Sequence, residues 1–350
     1  MPWTRLRRLG PERQLAVDLG TANTVVYQPG KGVIAFEPSV VAVDERSGEV
    51  YAVGAEARRM IGRTPAHITA TRPLRHGVIG DFEMAEQMLR YFIRSATRRI
   101  GAGAEVMVCV PSGLTQVERT AVEEATIAAG AARAYLIEEP LAAAIGAGLP
   151  VAESVGSLVL DVGGGTSEMA VTALGGMVVS HSVRIGGYDL DEAIVKLLQD
   201  AHRLLIGQEQ AEAVKLEVGA ARAGVLDATA EVAGRDLTTG LLRRTTVDAQ
   251  AVAEALQRPL DQIIEGLELV LERTPPELAA DIADRGLMLV GGGALLREFD
   301  ALIRSRTGLA VTKSDDPLTT VALGAGLALE NAETLAVAHA HRRGRRRRRA

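Results

Sequence analysis

The strongest constraint on this chain is a motif that it carries twice. Ala16-Val17-Asp18-Leu19-Gly20-Thr21-Ala22-Asn23-Thr24-Val25 returns as Val159-Leu160-Asp161-Val162-Gly163-Gly164-Gly165-Thr166-Ser167-Glu168. In each copy an apolar run ends in an aspartate, small residues make a tight turn, and strand-forming residues follow. A repeat at this distance predicts two similar domains facing each other, each donating one β-hairpin. A third cluster, Gly291-Gly292-Gly293, follows an apolar run at 287–290 and predicts a helix starting near Ala294.

The rest of the chain fits an α/β fold. Its 350 residues leave room for two domains, and 47% hydrophobic with 24% charged residues is a globular balance. Further strands are predicted at 15–19, 25–27, 106–110, 135–137 and 158–162, with helices between them at 83–99, 189–205 and 250–273. The helix at 189–205 places Leu190, Ile194, Leu197, Leu198 and Leu205 on one face. Aromatic residues are only 3%, so an aliphatic core is expected. No apolar run approaches the roughly 20 residues of a membrane span or forms a secretory leader. Cys109 is the sole cysteine and the six histidines form no H-E-x-x-H pattern, so no disulfide or thiolate cluster is expected. A soluble protein of a reducing compartment follows as the expectation.

Small residues in a tight turn let backbone N–H groups approach phosphate oxygens. The turns 20–23 and 163–166 therefore read as two phosphate clamps. Asp18 and Asp161, just before them, suit Mg²⁺, which takes one or two carboxylates and completes its shell with phosphates and water. A single copy would equally suit an ordinary hairpin with a capping aspartate; two matched copies and a third glycine cluster favour the clamps. Strand-type residues follow Gly165, which excludes a dinucleotide-binding helix, and no G-x-x-x-x-G-K-[ST] is present. Segment 135–146 runs from a strand into a helix with Pro140 in its first turn. A carboxylate there either orients an attacking water or merely favours the helix N-terminus.

Taken together, these residues resemble the actin, sugar-kinase and heat-shock-chaperone ATPase superfamily, and within it the MreB/Mbl-type bacterial actins. The resemblance rests on Asp18-Leu-Gly-Thr-Ala-Asn-Thr, Glu37-Pro-Ser-Val-Val-Ala, Arg72-Pro-Leu, Val110-Pro-Ser-Gly, Ile137-Glu-Glu-Pro-Leu-Ala-Ala-Ala-Ile-Gly, Asp161-Val-Gly-Gly-Gly-Thr, Arg184-Ile-Gly-Gly, Thr274-Pro-Pro-Glu-Leu and Gly291-Gly-Gly-Ala-Leu-Leu. It covers roughly 14–332. It implies an actin-like two-lobed ATPase fold with ATP and Mg²⁺ in the cleft. Lobe I would span 14–146 with a small subdomain at 33–77, and lobe II 147–316 with one at 186–249. A helix within 317–338 would return to lobe I.

By the same resemblance, Asp18, Gly20, Thr21, Ala22 and Asn23 would serve the phosphates and metal from lobe I. Asp161, Gly163, Gly164, Gly165 and Thr166 would do so from lobe II. Glu139 would activate the attacking water, with Asp161 and Thr166 beside it. Glu212 and Lys215 would contact adenosine, although by sequence alone they read as an exposed helical ion pair. Gly292, Gly293, Ala294 and Leu295 would line the base and ribose. Ser167 departs from the family's usual second threonine but keeps the hydroxyl.

Charge is unevenly spread. Taking +3 for residues 1–13 and +7 for 339–350 from the net −5 leaves −15 for 14–338. Trp3, Leu6 and Leu9 alternate with Arg5, Arg7 and Arg8, a pattern that suits a short interfacial segment and equally a disordered leader. The Arg-rich tail suits an anionic leaflet, and the same charge suits nucleic acid or the acidic body of a neighbour. The resemblance favours the inner face of the cytoplasmic membrane, with self-assembly into a head-to-tail filament. Its other partners would be membrane proteins of the cell-wall elongation machinery, and nucleic acid is not expected. The expected function is an ATP-binding filament that organises cell shape, with slow hydrolysis as its switch. The rivals are a nucleotide-holding scaffold without turnover and a small-molecule kinase of the same fold.

Overall fold

The computed structural model describes residues 13–97 and 103–331. The basic N-terminal segment, apart from Arg13, and the Arg-rich tail lie outside the described residues. In chain order the elements begin with β1 (Gln14–Leu19), β2 (Asn23–Gln28), β3 (Gly32–Pro38), β4 (Val41–Asp44), β5 (Glu49–Val53), α1 (Ala55–Arg58), β6 (Ile68–Thr71), β7 (Leu74–Arg75) and β8 (Val78–Ile79). Next come α2 (Phe82–Thr97), β9 (Glu105–Val110), α3 (Gln116–Ala128), β10 (Arg133–Glu138), α4 (Glu139–Gly146), β11 (Ser157–Val162), β12 (Ser167–Ala173), β13 (Gly176–Val183) and α5 (Gly187–His202). Then follow β14 (Leu204–Leu205), α6 (Gln208–Val218), β15 (Thr229–Asp236), β16 (Leu242–Asp248), α7 (Ala249–Arg273), α8 (Pro276–Arg285) and β17 (Leu287–Val290). The chain closes with α9 (Phe299–Thr307), β18 (Val311–Lys313) and α10 (Thr320–Glu330).

Every apolar run picked out in the sequence lies in a strand. The amphipathic helices also form, but two ends differ from expectation. α5 stops at His202, because Arg203 takes a left-handed φ of 51° and turns the chain out of the helical path. Leu205 therefore leaves the helix face and pairs with Arg235 as part of β14. The helix expected near Ala294 is only a 3₁₀ turn, Gly292–Leu295, because Leu296 is extended and Glu298 is left-handed. The α-helix begins at Phe299. Residues 98 and 99 of the expected 83–99 helix lie outside the described residues; the described part is α2, with Met88, Leu89, Phe92 and Ile93 buried. Local chemistry sets the starts: Thr115 and Glu118 form a reciprocal capping box on α3. The Asp248 side chain accepts the Ala251 N–H at 2.7 Å on α7.

The chain groups into two compact units, the described residues of 1–154, 173–176 and 319–350, and those of 155–172 and 177–318. Each is built on a five-stranded sheet of one design. The orders are β3-β2-β1-β9-β10 and β13-β12-β11-β17-β18. The motif strand, β1 or β11, is third in both, with its antiparallel hairpin partner on one side and a parallel strand on the other. The first unit is centred on Leu15, Val17, Met88, Leu89, Val106 and Val108, the second on Leu158, Leu160, Ile194, Leu198, Leu260 and Ile263. Phe92 and Phe299 are the only buried aromatics among the described residues, as an aliphatic core requires.

The last helix, α10, packs on α4 inside the first unit through two glycines. A Cβ on Gly324 would lie 1.8 Å from Ala142 O, and one on Gly146 would lie 1.9 Å from Thr320 O. The backbones meet where side chains would otherwise stand, so a methyl here forces the helices apart. Gly324→Ala should lower stability by about 1–3 kcal/mol or more, read as a reduced urea midpoint.

Candidate functional site

In the first unit the parallel register sets Asp18 opposite Cys109, and Cys109 opposite Ile137. The carboxyl ends of β1, β9 and β10 thus finish together. In open α/β sheets that edge is where ligands gather. The turn after β1 is braced from the side. The Ser39 Oγ donates to Gly20 O at 2.6 Å, the Ser39 N–H donates to Ala22 O at 2.9 Å, and the Gly77 N–H donates to the buried Thr21 Oγ1 at 3.0 Å. A Cβ on Gly20 would lie 2.7 Å from Asn23 O, so only glycine permits this turn.

At the same edge β10 passes into α4. Its two adjacent glutamates part company there. Glu138, the residue before the helix, is paired with Arg119 of α3. Glu139 opens the first turn beside Pro140 and is only 7% exposed. A carboxylate that served only to complement the helix dipole would gain from staying in water, so its burial favours a positioned role.

The second unit repeats the device. Asp161 lies opposite Glu168 in the hairpin and opposite Val290 in the parallel pair. The Gly163 N–H closes the turn on Thr166 O at 2.9 Å. The start of α5 sits on this turn: the Gly187 and Tyr188 N–H groups donate to Gly163 O and Gly164 O at 2.9 and 2.8 Å. A Cβ on Gly186 would lie 2.7 Å from Gly163 O, and one on Gly291 (φ 78°) would lie 2.3 Å from the Asp161 carboxylate. The third glycine cluster therefore touches the second aspartate. Gly293 approaches Val162, Ala294 is buried, and Leu295 is 58% exposed.

Lys215 is not an exposed helical ion-pair residue. Its Nζ reaches Asp191 Oδ1 at 2.7 Å and donates to Gly187 O at 2.9 Å. Glu212, one turn earlier on α6, is half-buried. The residues that sequence reasoning left out of the site are Ser39, Gly77, Gly186, Gly187, Asp191 and Gly291. Ser39 and the Gly186-Gly187 pair stand within segments that carry the family resemblance. Nothing marked Asp191, an ordinary helical acid until α6 packs on it.

Burial pushes the Asp18 carboxyl from its ordinary 3.8 up to about 7, although the residue keeps some solvent contact. The charged form is penalised unless a cation arrives. Among the described residues no group of three or more His, Cys, Asp or Glu could cage a metal.

The sign of the linkage follows. Between about 4 and about 7 the folded state holds a proton that the unfolded chain has lost, so this group's contribution to stability falls as pH rises. In metal-free buffer at pH 8, Asp18→Asn should melt higher than the parent by calorimetry, and the gap should close as pH falls toward 4.

A doubled five-stranded sheet, with an aspartate-and-turn hairpin third in each copy, defines an actin-like fold. MreB5 of Spiroplasma citri bound to ADP is 33% identical, with 91% of this chain and 97% of that one covered at a TM-score of 0.86; the same protein bound to AMPPNP gives 0.85. The MamK double helical filament subunit, 23% identical over 91% of this chain and 99% of its own, shares the fold at a TM-score of 0.77. A family model described as MreB/Mbl protein matches residues 12–337, and the chain belongs to that family. It is 50% identical over 322 residues to the cell shape-determining protein MreB of Escherichia coli strain K12, covering 90% of this chain and 93% of that one. No helix among the described residues is long and apolar enough to cross a membrane.

Proposed function

We propose that the chain binds ATP with Mg²⁺, assembles head to tail into filaments at the inner face of the cytoplasmic membrane, and organises cell shape with slow hydrolysis as its switch. The matched hairpins carry this: both units present the same aspartate, turn and sheet edge. Support for a cell-shape role comes from the E. coli relative, which is a cell shape-determining protein. Support for the nucleotide comes from MreB5, bound to ADP and to AMPPNP. MamK speaks only to the fold, but it shows that a chain of this fold can form a double helical filament. A head-to-tail contact is heterologous and open-ended, as a filament requires. The basic ends add the charge for an anionic leaflet, and weak contacts multiply along a polymer. Membrane proteins of the elongation machinery would be the further partners.

In this scheme Thr21, Ala22 and Asn23, with Gly164, Gly165 and Thr166, bind the phosphates through backbone N–H groups and hydroxyls, while Gly20 and Gly163 let the two turns close. Asp18 and Asp161 hold the metal, which neutralises phosphate charge when bound. Glu139 orients the attacking water and takes its proton on a carboxylate oxygen, with Thr166 helping to place that water. Glu212, Gly292, Gly293, Ala294 and Leu295 flank the nucleoside. Lobe boundaries near 146 and 316, with small subdomains at 33–77 and 186–249, belong to the same proposal.

High-speed pelleting with Mg-ATP, with Mg-ADP and without nucleotide, followed by electron microscopy, tests it. Ordered filaments favoured by ATP are expected. Glu139→Ala should still pellet with Mg-ATP while phosphate release falls by roughly a hundredfold or more. A chain that binds ATP yet stays monomeric would leave only the scaffold reading, and phosphate transfer to a sugar would favour the kinase.

A further inference from the structure

Lys215 lies on α6 with its side chain 14% exposed, and its Nζ is committed to two partners on the first turns of α5. One is Asp191 Oδ1 at 2.7 Å, the other Gly187 O at 2.9 Å. The Asp191 side chain is 1% exposed, so its charge is tolerable only while a cation meets it. The ammonium thus donates to Gly187 O and forms an ion pair with Asp191, both inside the protein.

Gly187 faces two ways. Its carbonyl accepts from Lys215, and its N–H donates to Gly163 O at 2.9 Å, with the Tyr188 N–H on Gly164 O at 2.8 Å beside it. A Cβ on Gly187 would lie 3.5 Å from Lys215 Nζ and one on Gly186 would lie 2.7 Å from Gly163 O, so helix, turn and ammonium are in direct contact. Fixing the carbonyls of Gly163 and Gly164 fixes the planes of the peptides that follow them, and so the directions of the N–H groups of Gly164 and Gly165.

We propose that Lys215 is a positioning residue that acts with Asp191. The pair pins the start of α5 and, through Gly187, orients the second glycine turn. Lys215 thus sets affinity for phosphate without touching one, and its main task is not the adenosine contact that the resemblance implies. The proposal rests on the nucleotide reading of that turn.

Calorimetry on the full chain with two probes, Mg-AMPPNP and adenosine, separates the roles. Lys215→Met and Asp191→Asn should each weaken Mg-AMPPNP by roughly tenfold, the size expected for a buried charged hydrogen bond. Adenosine affinity should move less than about twofold, and Lys215→Arg should restore most of the loss. A general loosening of the fold would weaken both probes together. Loss of adenosine binding in Lys215→Met alone, with Asp191→Asn unchanged on both probes, would overturn the proposal. Should Lys215→Met fail to fold, Asp191→Asn decides by the same criteria. Amide exchange at Gly187 and Tyr188 decides independently of any nucleotide: faster exchange in both variants upholds the latch, and parental rates overturn it. A parent that binds neither probe would remove the nucleotide reading and leave exchange as the judge of the latch.

Discussion

A turn can offer its N–H groups to an anion only if its carbonyls are held elsewhere. Each peptide is planar, so satisfying the oxygen on one side fixes where the nitrogen points. Both motif turns meet this condition with residues from outside the motif. Ser39 takes Gly20 O and Ala22 O in the first, while Gly187 and Tyr188 take Gly163 O and Gly164 O in the second. The solutions differ chemically, a serine hydroxyl and amide in one case and a helix start in the other. The result is the same: a braced turn at the carboxyl edge of a five-stranded sheet.

The sheets explain why the braces hold. Each motif strand is third of five, with a hairpin on one flank and a parallel strand on the other. That placement buries β1 and β11 almost entirely. Close backbone approach completes the frame, with Gly291 against Asp161 and Gly324 against α4. Glycine abundance in this chain is therefore tied to contact, not only to turns. Burial also sets the electrostatics, because Asp18 is held where its charge is costly.

Much of this was legible because the repeat and the apolar runs are local patterns. A strand of buried aliphatics followed by Asp and small residues can be read without knowing what surrounds it. Helix interiors were equally plain from their three- and four-residue spacing. The ends were not: Leu205 continues the apolar period of α5, and only the left-handed Arg203 removes it. Ala294 follows a glycine cluster like a helix start, yet the extended Leu296 delays the helix to Phe299. Lys215 shows the deeper limit. Its partners Asp191 and Gly187 are 24 and 28 residues earlier on another helix, so no spacing rule brings them together. The packing gives Lys215 two partners inside the protein, and the role that the resemblance implies for it says nothing of them.

The proposed function requires each turn, with its aspartate, to meet the phosphates or the metal of a nucleotide. A structure of the full chain crystallised with Mg²⁺ and AMPPNP tests it most directly. Phosphate oxygens are expected on the backbone N–H groups of residues 21–23 and 164–166, with Mg²⁺ reached by Asp18 and Asp161 directly or through water. A nucleotide bound away from these turns, or phosphates held only by surface lysines and arginines, would contradict it.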